Sequence, residues 1–162
     1  MHDFHSVTRP YSKKINVFEH YCKIAQDVYT KSLEDYVTNM LKKNFNKLFE
    51  FFDKLEMAKL NCPPHELQYQ ADFNKQQVRK ILSSFSLKEF KKTLESIYKK
   101  VEKQFNEHGL LLQVVWRSFQ EGVLFQHERI TKNLVECYPN TGLDIEFGIP
   151  EVLQVISDVS NK

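Results

Sequence analysis

Apolar residues recur every three or four positions along most of this chain, and that spacing places them on one face of an α-helix. The first such stripe is Ile15, Phe18, Cys22, Ala25, Tyr29, Leu33, Tyr36 and Met40. A second stripe follows at Phe45, Leu48, Phe52 and Leu55. The polar run 42–44 between them predicts a kink or a short break. We expect Ser12 to cap the first helix and the Pro63–Pro64 pair to end this region.

Two helix starts carry capping patterns. Asn74 is followed three residues later by Gln77, and Ser86 by Glu89. In such a pattern the cap side chain accepts an otherwise unpaired backbone N–H, and apolar residues on either side of the cap fix the entry angle. The sequence therefore predicts a short helix over about 75–84 and a longer one from about 87.

The second half of the chain carries the clearest core pattern. After Ser86 the stripe is Leu87, Phe90, Leu94, Ile97, Val101 and Phe105. A break over 106–109 precedes a long helix over about 110–138, and Gly122 inside it costs about 1 kcal/mol of helix propensity relative to Ala. The seam of that long helix is Leu112, Trp116, Phe119, Val123, Ile130, Leu134 and Cys137. We expect the core to be packed by Leu112, Trp116, Phe119, Val123, Phe90, Leu94 and Ile97.

A turn over 139–142 and a final helix starting near Pro150 complete the pattern. Proline early in the first turn is harmless, because its missing N–H would be unpaired there in any case. The expected apolar face of this helix is Val152, Leu153, Ile156 and Val159.

One segment departs from helical spacing. Between His65 and Asp72 the apolar residues alternate with polar ones, as they do in a strand. We interpret the segment as an extended connector. An alternative is a two-stranded pair with the alternating run Leu143, Ile145 and Phe147, although an isolated pair of strands is only marginally stable.

These elements predict an all-α fold, an up-and-down bundle of about five to six helices. The 162 residues form one domain by length, with residues 1–11 expected to be disordered. The chain has only four Gly and five Pro, which favours long helices over a β fold rich in turns. Each apolar stripe then needs another helix to cover it.

Composition excludes several classes of function. The net charge of +2 is too small for a dedicated nucleic-acid binder, and no apolar run is long enough to span a bilayer. Residues 1–14 lack the apolar stretch of a secretory signal. Cys22, Cys62 and Cys137 are far apart and odd in number, so we expect reduced thiols rather than disulfides or a zinc site.

The sequence contains no recognisable catalytic, metal-binding or cofactor-binding set of residues. No phosphate-binding glycine loop or nucleophile elbow is present. The histidines are isolated from one another in sequence, and the acidic pairs resemble ordinary surface groups. We expect no enzyme activity, no cofactor and no small-molecule substrate.

One charged feature is a basic helix face over 88–103. Its lysines are opposed by three acidic residues, Glu89, Glu95 and Glu102. The face could contact anionic lipid headgroups, at about 1 kcal/mol per lysine, or an acidic partner, or simply solvent. Its members are Lys88, Lys91, Lys92, Lys99, Lys100 and Lys103. The segment from Asp144 to Asp158 carries four carboxylates and no base, so opposite charges could serve docking between subunits.

The run Phe-Asn-Lys-Gln-Gln-Val-Arg-Lys-Ile-Leu at 73–82 resembles the C-terminal region of the exocyst complex component 1 family. The resemblance continues through residues 98–103 and 111–116, then Cys137-Tyr-Pro, Gly142 and Glu146-Phe147 before a last helix. It covers 66–162 well. Residues 1–65 match in pattern, mainly around Asp3-Phe4-His5 and over 36–52.

The resemblance implies a terminal bundle of a long rod of stacked helical bundles. It implies a non-catalytic interaction module of the exocyst, which tethers secretory vesicles to the plasma membrane. The partners would be other exocyst subunits. The location would be the cytoplasm, with peripheral association at secretion sites on the plasma membrane. The alternative is an adaptor that uses the basic face on an anionic membrane surface or an acidic partner.

The chain departs from the family in three ways. It is far shorter than a full family member. Gly122 stands where a better helix former is expected, so the long helix could bend there. Gly148 replaces the hydroxyl cap expected before the last helix.

Overall fold

The computed structural model describes residues 16–105 and 109–160 of the chain. These residues form six α-helices and two short 3-10 helices and contain no strand, so the predicted all-α class is confirmed. The α-helices are α1 (Asn16–Asn44), α2 (Asn46–Lys59), α3 (Lys75–Ser83), α4 (Leu87–Phe105), α5 (Gly109–Cys137) and α6 (Ile149–Ser160). The Ser12 cap, the expected disorder of 1–11 and residues 106–108 of the expected break lie outside the described residues.

The caps predicted at Asn74 and Ser86 both form. Asn74 Oδ1 accepts the backbone N–H groups of Gln76 and Gln77, each at 3.0 Å. Ser86 Oγ accepts the backbone N–H of Glu89 at 3.4 Å. Each bond satisfies a helix-start N–H that has no partner within the helix, and α3 and α4 accordingly begin one residue after their caps.

The predicted break near residues 42–44 is confirmed by a single non-helical residue, Phe45. Helix α1 ends at Asn44, whose side-chain amide donates to the carbonyl of Met40 at 2.7 Å. At this break the Phe45 ring packs against Phe85 and Phe90, with ring centroids 5.5 and 6.1 Å away. The interruption therefore places an aromatic side chain between α1 and the start of α4.

The prediction of an extended connector after Pro64 is wrong. Residues Pro64–Tyr69 and Ala71–Phe73 are 3-10 helices. Leu67 and Phe73 are both buried while Tyr69 is exposed, so the alternation did not mark two faces of a strand. Tyr138 Oη donates to the Phe73 carbonyl at 2.8 Å, which ties the segment to the end of α5. The alternative pairing with Leu143, Ile145 and Phe147 is also wrong, because neither run is a strand in the described structure.

When α1 and α2 are taken as one stretch, the long helical stretches alternate in direction. Val37 of α1 packs at Gly122 of α5, and Lys59 of α2 reaches Glu136 near the end of α5, so α1 and α2 run parallel to α5. Helix α4 runs the opposite way, since Tyr98 meets Trp116 while Phe90 lies near Ile130. Helix α6 also opposes α5, because its last residue, Ser160, meets Trp116.

The core lies between α1, α2, α4, α5 and α6. Six of the seven predicted packing residues are buried: Phe90, Leu94, Ile97, Trp116, Phe119 and Val123. Leu112 is half-buried and packs at the edge of the core.

Two predicted stripe positions face solvent instead. Leu153 is exposed and Val155 is buried, because α6 packs with the face formed by 152, 155, 156 and 159. Phe18 is exposed at the start of α1. The side chains that pack on the core begin at Leu33 of that helix.

The turn predicted over 139–142 forms, and α6 begins at Ile149, one residue before the predicted start. Asn140 and Gly142 both have positive φ, at 60° and 65°. The backbone N–H of Gly148 donates to Glu151 Oε2 at 3.0 Å. In a capping box, the side chain three residues after the cap accepts the backbone N–H of the cap residue. Glu151 makes this bond, whereas Gly148 has no side chain with which to make the reciprocal one.

Candidate interaction surface

The described residues include several charged and apolar surface features. They contain no group of three or more His, Cys, Asp or Glu side chains placed to hold a metal ion. None of the helices described is both long and apolar enough to cross a bilayer. Three features could serve an interaction: the basic face of α4, the polar contacts between α2 and α5, and the exposed apolar side chains along α5.

Four lysines of α4 form a straight stripe. At 100° per residue, positions 88, 92, 99 and 103 fall within an arc of about 60° and extend over about 22 Å of the helix. All four side chains are exposed. We call Lys88, Lys92, Lys99 and Lys103 the lysine stripe. Lys100 is also exposed but lies to one side of the arc.

Lys91 does not belong to this stripe. Its ammonium group donates to Asp158 Oδ2 of α6 at 2.8 Å. That hydrogen bond, followed by the charge of Asp158, raises the pKa of Lys91 above its usual value. The contact also shows that part of the acidic segment 144–158 meets the basic helix within the chain. Contacts between these opposite charges were expected between subunits, but the contact of Lys91 with Asp158 forms within the chain.

A polar network that the sequence did not reveal fastens α2 to α5. Arg129 bonds to Asp53 at 2.7 Å and to both carboxylate oxygens of Glu56 at 2.6 and 2.7 Å. Asn133 donates to Glu56 at 2.7 Å and accepts from Lys59 at 3.1 Å. The Arg129 hydrogen bond is the main reason that the pKa of Glu56 lies below its usual value. Arg129 and Asn133 are four residues apart and therefore lie on one face of α5. This spacing did not reveal the network, because the sequence does not show which helix packs against that face.

Two open depressions lie along the outer side of α5, one against α1 and the other against α2. Phe125 lines both depressions and therefore stands between them. Leu33 and Val37 line the α1 end, and Leu60 lines the α2 end. We call the two depressions together, from Ser118 to Asn133 with walls on α1 and α2, the α5 groove.

Two large apolar side chains of the α5 groove are exposed to solvent. Phe125 is 64% exposed and Leu60 is 76% exposed. The sequence contained a signal for Phe125, since it lies two positions after Val123 and so points away from the seam of α5.

The basic and acidic side chains along the α5 groove differ in whether they are paired within the chain. Arg129 is bonded to Asp53 and Glu56, and Lys59 to Glu136, whereas the exposed Lys132 lies 4.0 Å from Glu136 in a weaker pair. Glu34 and Glu128 make no ion pair with any described residue. The groove therefore presents apolar side chains together with available negative charge.

Comparison with known proteins agrees with the resemblance seen in the sequence. The family model "Exocyst complex component Sec3, C-terminal" matches residues 4–140. Exocyst complex component 1 of Mus musculus is 36% identical over 162 residues, which cover 99% of this chain and 18% of that protein. Its counterpart in Drosophila melanogaster is 34% identical over 85% of this chain and 16% of its own length. The Dictyostelium discoideum counterpart is 27% identical over 78% of this chain. The chain thus spans less than a fifth of the length of these relatives, and no solved structure matches it.

Proposed function

The chain belongs to the family of the C-terminal region of exocyst component Sec3, and we propose that it is a non-catalytic protein–protein interaction module of the exocyst. Its role is to hold other exocyst subunits during the tethering of secretory vesicles to the plasma membrane. It acts in the cytoplasm and associates peripherally with the membrane at secretion sites.

The observation that carries this proposal is a match to exocyst component 1 that covers 99% of the chain. The structure supports it with a packed core and with large apolar side chains left on the surface, among them Phe125 and Leu60. Exposed apolar side chains that cluster on a folded surface are typical of sites of protein association. An interface of ordinary size buries about 1,600 Å² in total and depends on a few such anchors.

Affinity purification of the tagged chain from cells tests the proposal. Other exocyst subunits should be enriched over a tag-only control, as measured by quantitative mass spectrometry. In the same cells, the fluorescently labelled chain should accumulate where secretion occurs. Recovery of exocyst subunits at the level of the tag-only control would overturn the proposal.

A second candidate function is favoured by the lysine stripe. Four exposed lysines in one line, without apolar residues among them in the arc, suit a flat anionic membrane surface better than a shaped protein pocket. Electrostatic attraction of this kind contributes about 1 kcal/mol per lysine near the surface. The stripe would then hold the module against the cytoplasmic leaflet while other surfaces hold its partners.

Vesicle flotation separates this function from the first. The chain should float with vesicles of phosphatidylcholine and phosphatidylserine, but not with phosphatidylcholine alone. Replacing the four lysines of the stripe with Glu should abolish flotation. The matched control replaces four other exposed lysines with Glu: Lys23, Lys31, Lys54 and Lys75. Equal loss in both variants would show that net charge, not the stripe, attracts the chain and would dismiss this function.

A further inference from the structure

We propose that the α5 groove binds an amphipathic helix of a partner polypeptide, about four turns long, whose apolar face is flanked by Lys or Arg. This inference rests on the proposed function as an interaction module. It specifies the surface that is used and the chemistry of the segment that occupies it.

The length of the groove sets the length of the occupant. From Ser118 to Asn133 the groove follows 16 residues of α5, and the 15 rises between them span about 22 Å. A partner helix lying along it would span about 15 residues, or four turns. An occupant of this size presents apolar side chains at positions i, i+3 or i+4, and i+7.

The apolar contacts come from side chains that the fold itself does not bury. The core is filled by Trp116, Phe119 and Val123 on the opposite side of α5, so Phe125 is available to a partner. Its place between the two ends of the groove gives it the central position that binding anchors usually occupy. Leu60 and the half-buried Leu33 extend the apolar surface toward the two ends.

The charges select a basic occupant. Arg129 and Lys59 are already bonded to carboxylates of this chain, and Lys132 is held only by a weak exposed pair at 4.0 Å from Glu136. Glu34 and Glu128 make no ion pair with described residues. Glu121 is paired only with Arg117, at 3.3 Å between two exposed side chains, and such a pair is weak. A partner helix with flanking Lys or Arg would complement these three carboxylates, while an anionic membrane would be repelled by them.

Photo-crosslinking of the full chain tests the occupant directly. The probe p-benzoylphenylalanine is placed at position 125 and, as a control, at position 153, an exposed leucine of α6. The chain is purified from cells with its exocyst subunits, irradiated and digested. We expect position 125 to capture a peptide of another subunit that has helical apolar spacing and flanking Lys or Arg. An acidic peptide, or equal capture of one peptide from both positions, would overturn the inference.

Substitutions give a second measurement that does not depend on the probe. Phe125→Ser, and separately Glu34→Lys with Glu128→Lys, should each reduce the recovered exocyst subunits about tenfold or more. The matched controls are Leu153→Ser, and Glu50→Lys with Glu146→Lys, all at exposed positions. They should leave recovery and the thermal midpoint unchanged.

The outcomes separate the two levels of the proposal. If the wild-type chain recovers no exocyst subunits, the proposed function fails. If it recovers them and the groove variants recover them equally well, the module stands and the α5 groove is not its interface.

Discussion

Gly122 of α5 lies so close to Val37 of α1 that a β-carbon at position 122 would be 2.9 Å from Val37 Cγ1. The same β-carbon would be 3.2 Å from Leu41 Cδ1. Val37 and Leu41 are both buried, and both also line the α1 end of the α5 groove. The glycine that interrupts the helical pattern is therefore the place where α1 packs directly on the backbone of α5.

Gly122→Ala should destabilise the fold although it improves helix propensity. The propensity gain is about 1 kcal/mol, whereas overpacking by a methyl group, here 2.9 Å from Val37 Cγ1, costs about 1–3 kcal/mol. Val37 is β-branched and has little rotamer freedom with which to yield. We expect a net loss of about 1 kcal/mol in the free energy of unfolding, measured by urea denaturation.

The control is the double variant Gly122→Ala with Val37→Ala. Removing the two Val37 methyl groups removes the clash, so the double variant should be more stable than the sum of the two single effects predicts. A Gly122→Ala protein more stable than wild type would contradict the close approach.

Trp116 joins the end of α6 to the centre of the bundle. It is 6% exposed, stacks on Phe119 with ring centroids 5.2 Å apart, and donates from Nε1 to Ser160 Oγ at 2.6 Å. Trp116→Ala should cost about 3–5 kcal/mol, a large share of the stability of an ordinary domain. Thermal and urea unfolding would measure it.

Ser160→Ala separates the hydrogen bond from the packing of the ring. It removes the acceptor and leaves the indole in place, so it should cost about 0.5–1.5 kcal/mol. Unchanged melting of the Trp116→Ala protein would refute the packing described here. A loss in Ser160→Ala as large as that in Trp116→Ala would show that the ring itself contributes little.

Helix starts and stops were predictable because their causes are local. Asn74 and Ser86 carry their capping chemistry within three residues, and the fold uses both. The segment 65–72 was not predictable in the same way. Its 3-10 form depends on burying Leu67 and Phe73 and on a bond from Tyr138, which lies 65 residues beyond Phe73.

The candidate surfaces were only partly predictable for the same reason. The sequence identifies the lysines of α4 but not that Lys91 is bonded to a residue 67 positions away. It shows that Phe125 lies off the seam of α5, but not that α1 and α2 form walls on either side of it. Pairing between distant segments is a property of the packed bundle, and the helical period alone does not specify it.

The network between α2 and α5 should make stability depend on pH. The hydrogen bond from Arg129 lowers the pKa of Glu56 in the folded protein. A lowered folded pKa adds stability above the unfolded pKa of about 4.3, and that stability is lost as the pH falls through the lower folded value. Glu56→Gln should therefore be less stable than wild type at pH 7, and the difference should shrink below about pH 4.3.

Urea unfolding at pH 7, 5 and 3 measures this difference. The control is Glu50→Gln, an exposed glutamate of the same helix that makes no ion pair with described residues. Its stability relative to wild type should not change over the same range. A Glu56→Gln difference that stays constant from pH 7 to pH 3 would show that Glu56 contributes no charge-dependent stability.

Lys91 and Lys92 are neighbours in sequence, but we expect Lys91 to hold α6 in place and Lys92 to contact anionic membranes. Reversing the charge of each residue in turn should separate these two roles. Lys91→Glu places a carboxylate beside Asp158 of α6 and near Glu95, whose charge also acts on Lys91. Like charges at that contact should loosen α6 and lower the thermal midpoint. Lys92 is exposed and belongs to the lysine stripe. Lys92→Glu should therefore change the free energy of unfolding by no more than roughly 0.5 kcal/mol, as is typical of surface changes, and leave the midpoint nearly unchanged. It should, however, weaken flotation with anionic vesicles.

Differential scanning fluorimetry and vesicle flotation of both variants would test these two expectations. A midpoint lowered equally in both would mean that the contact between Lys91 and Asp158 does not hold α6 in place.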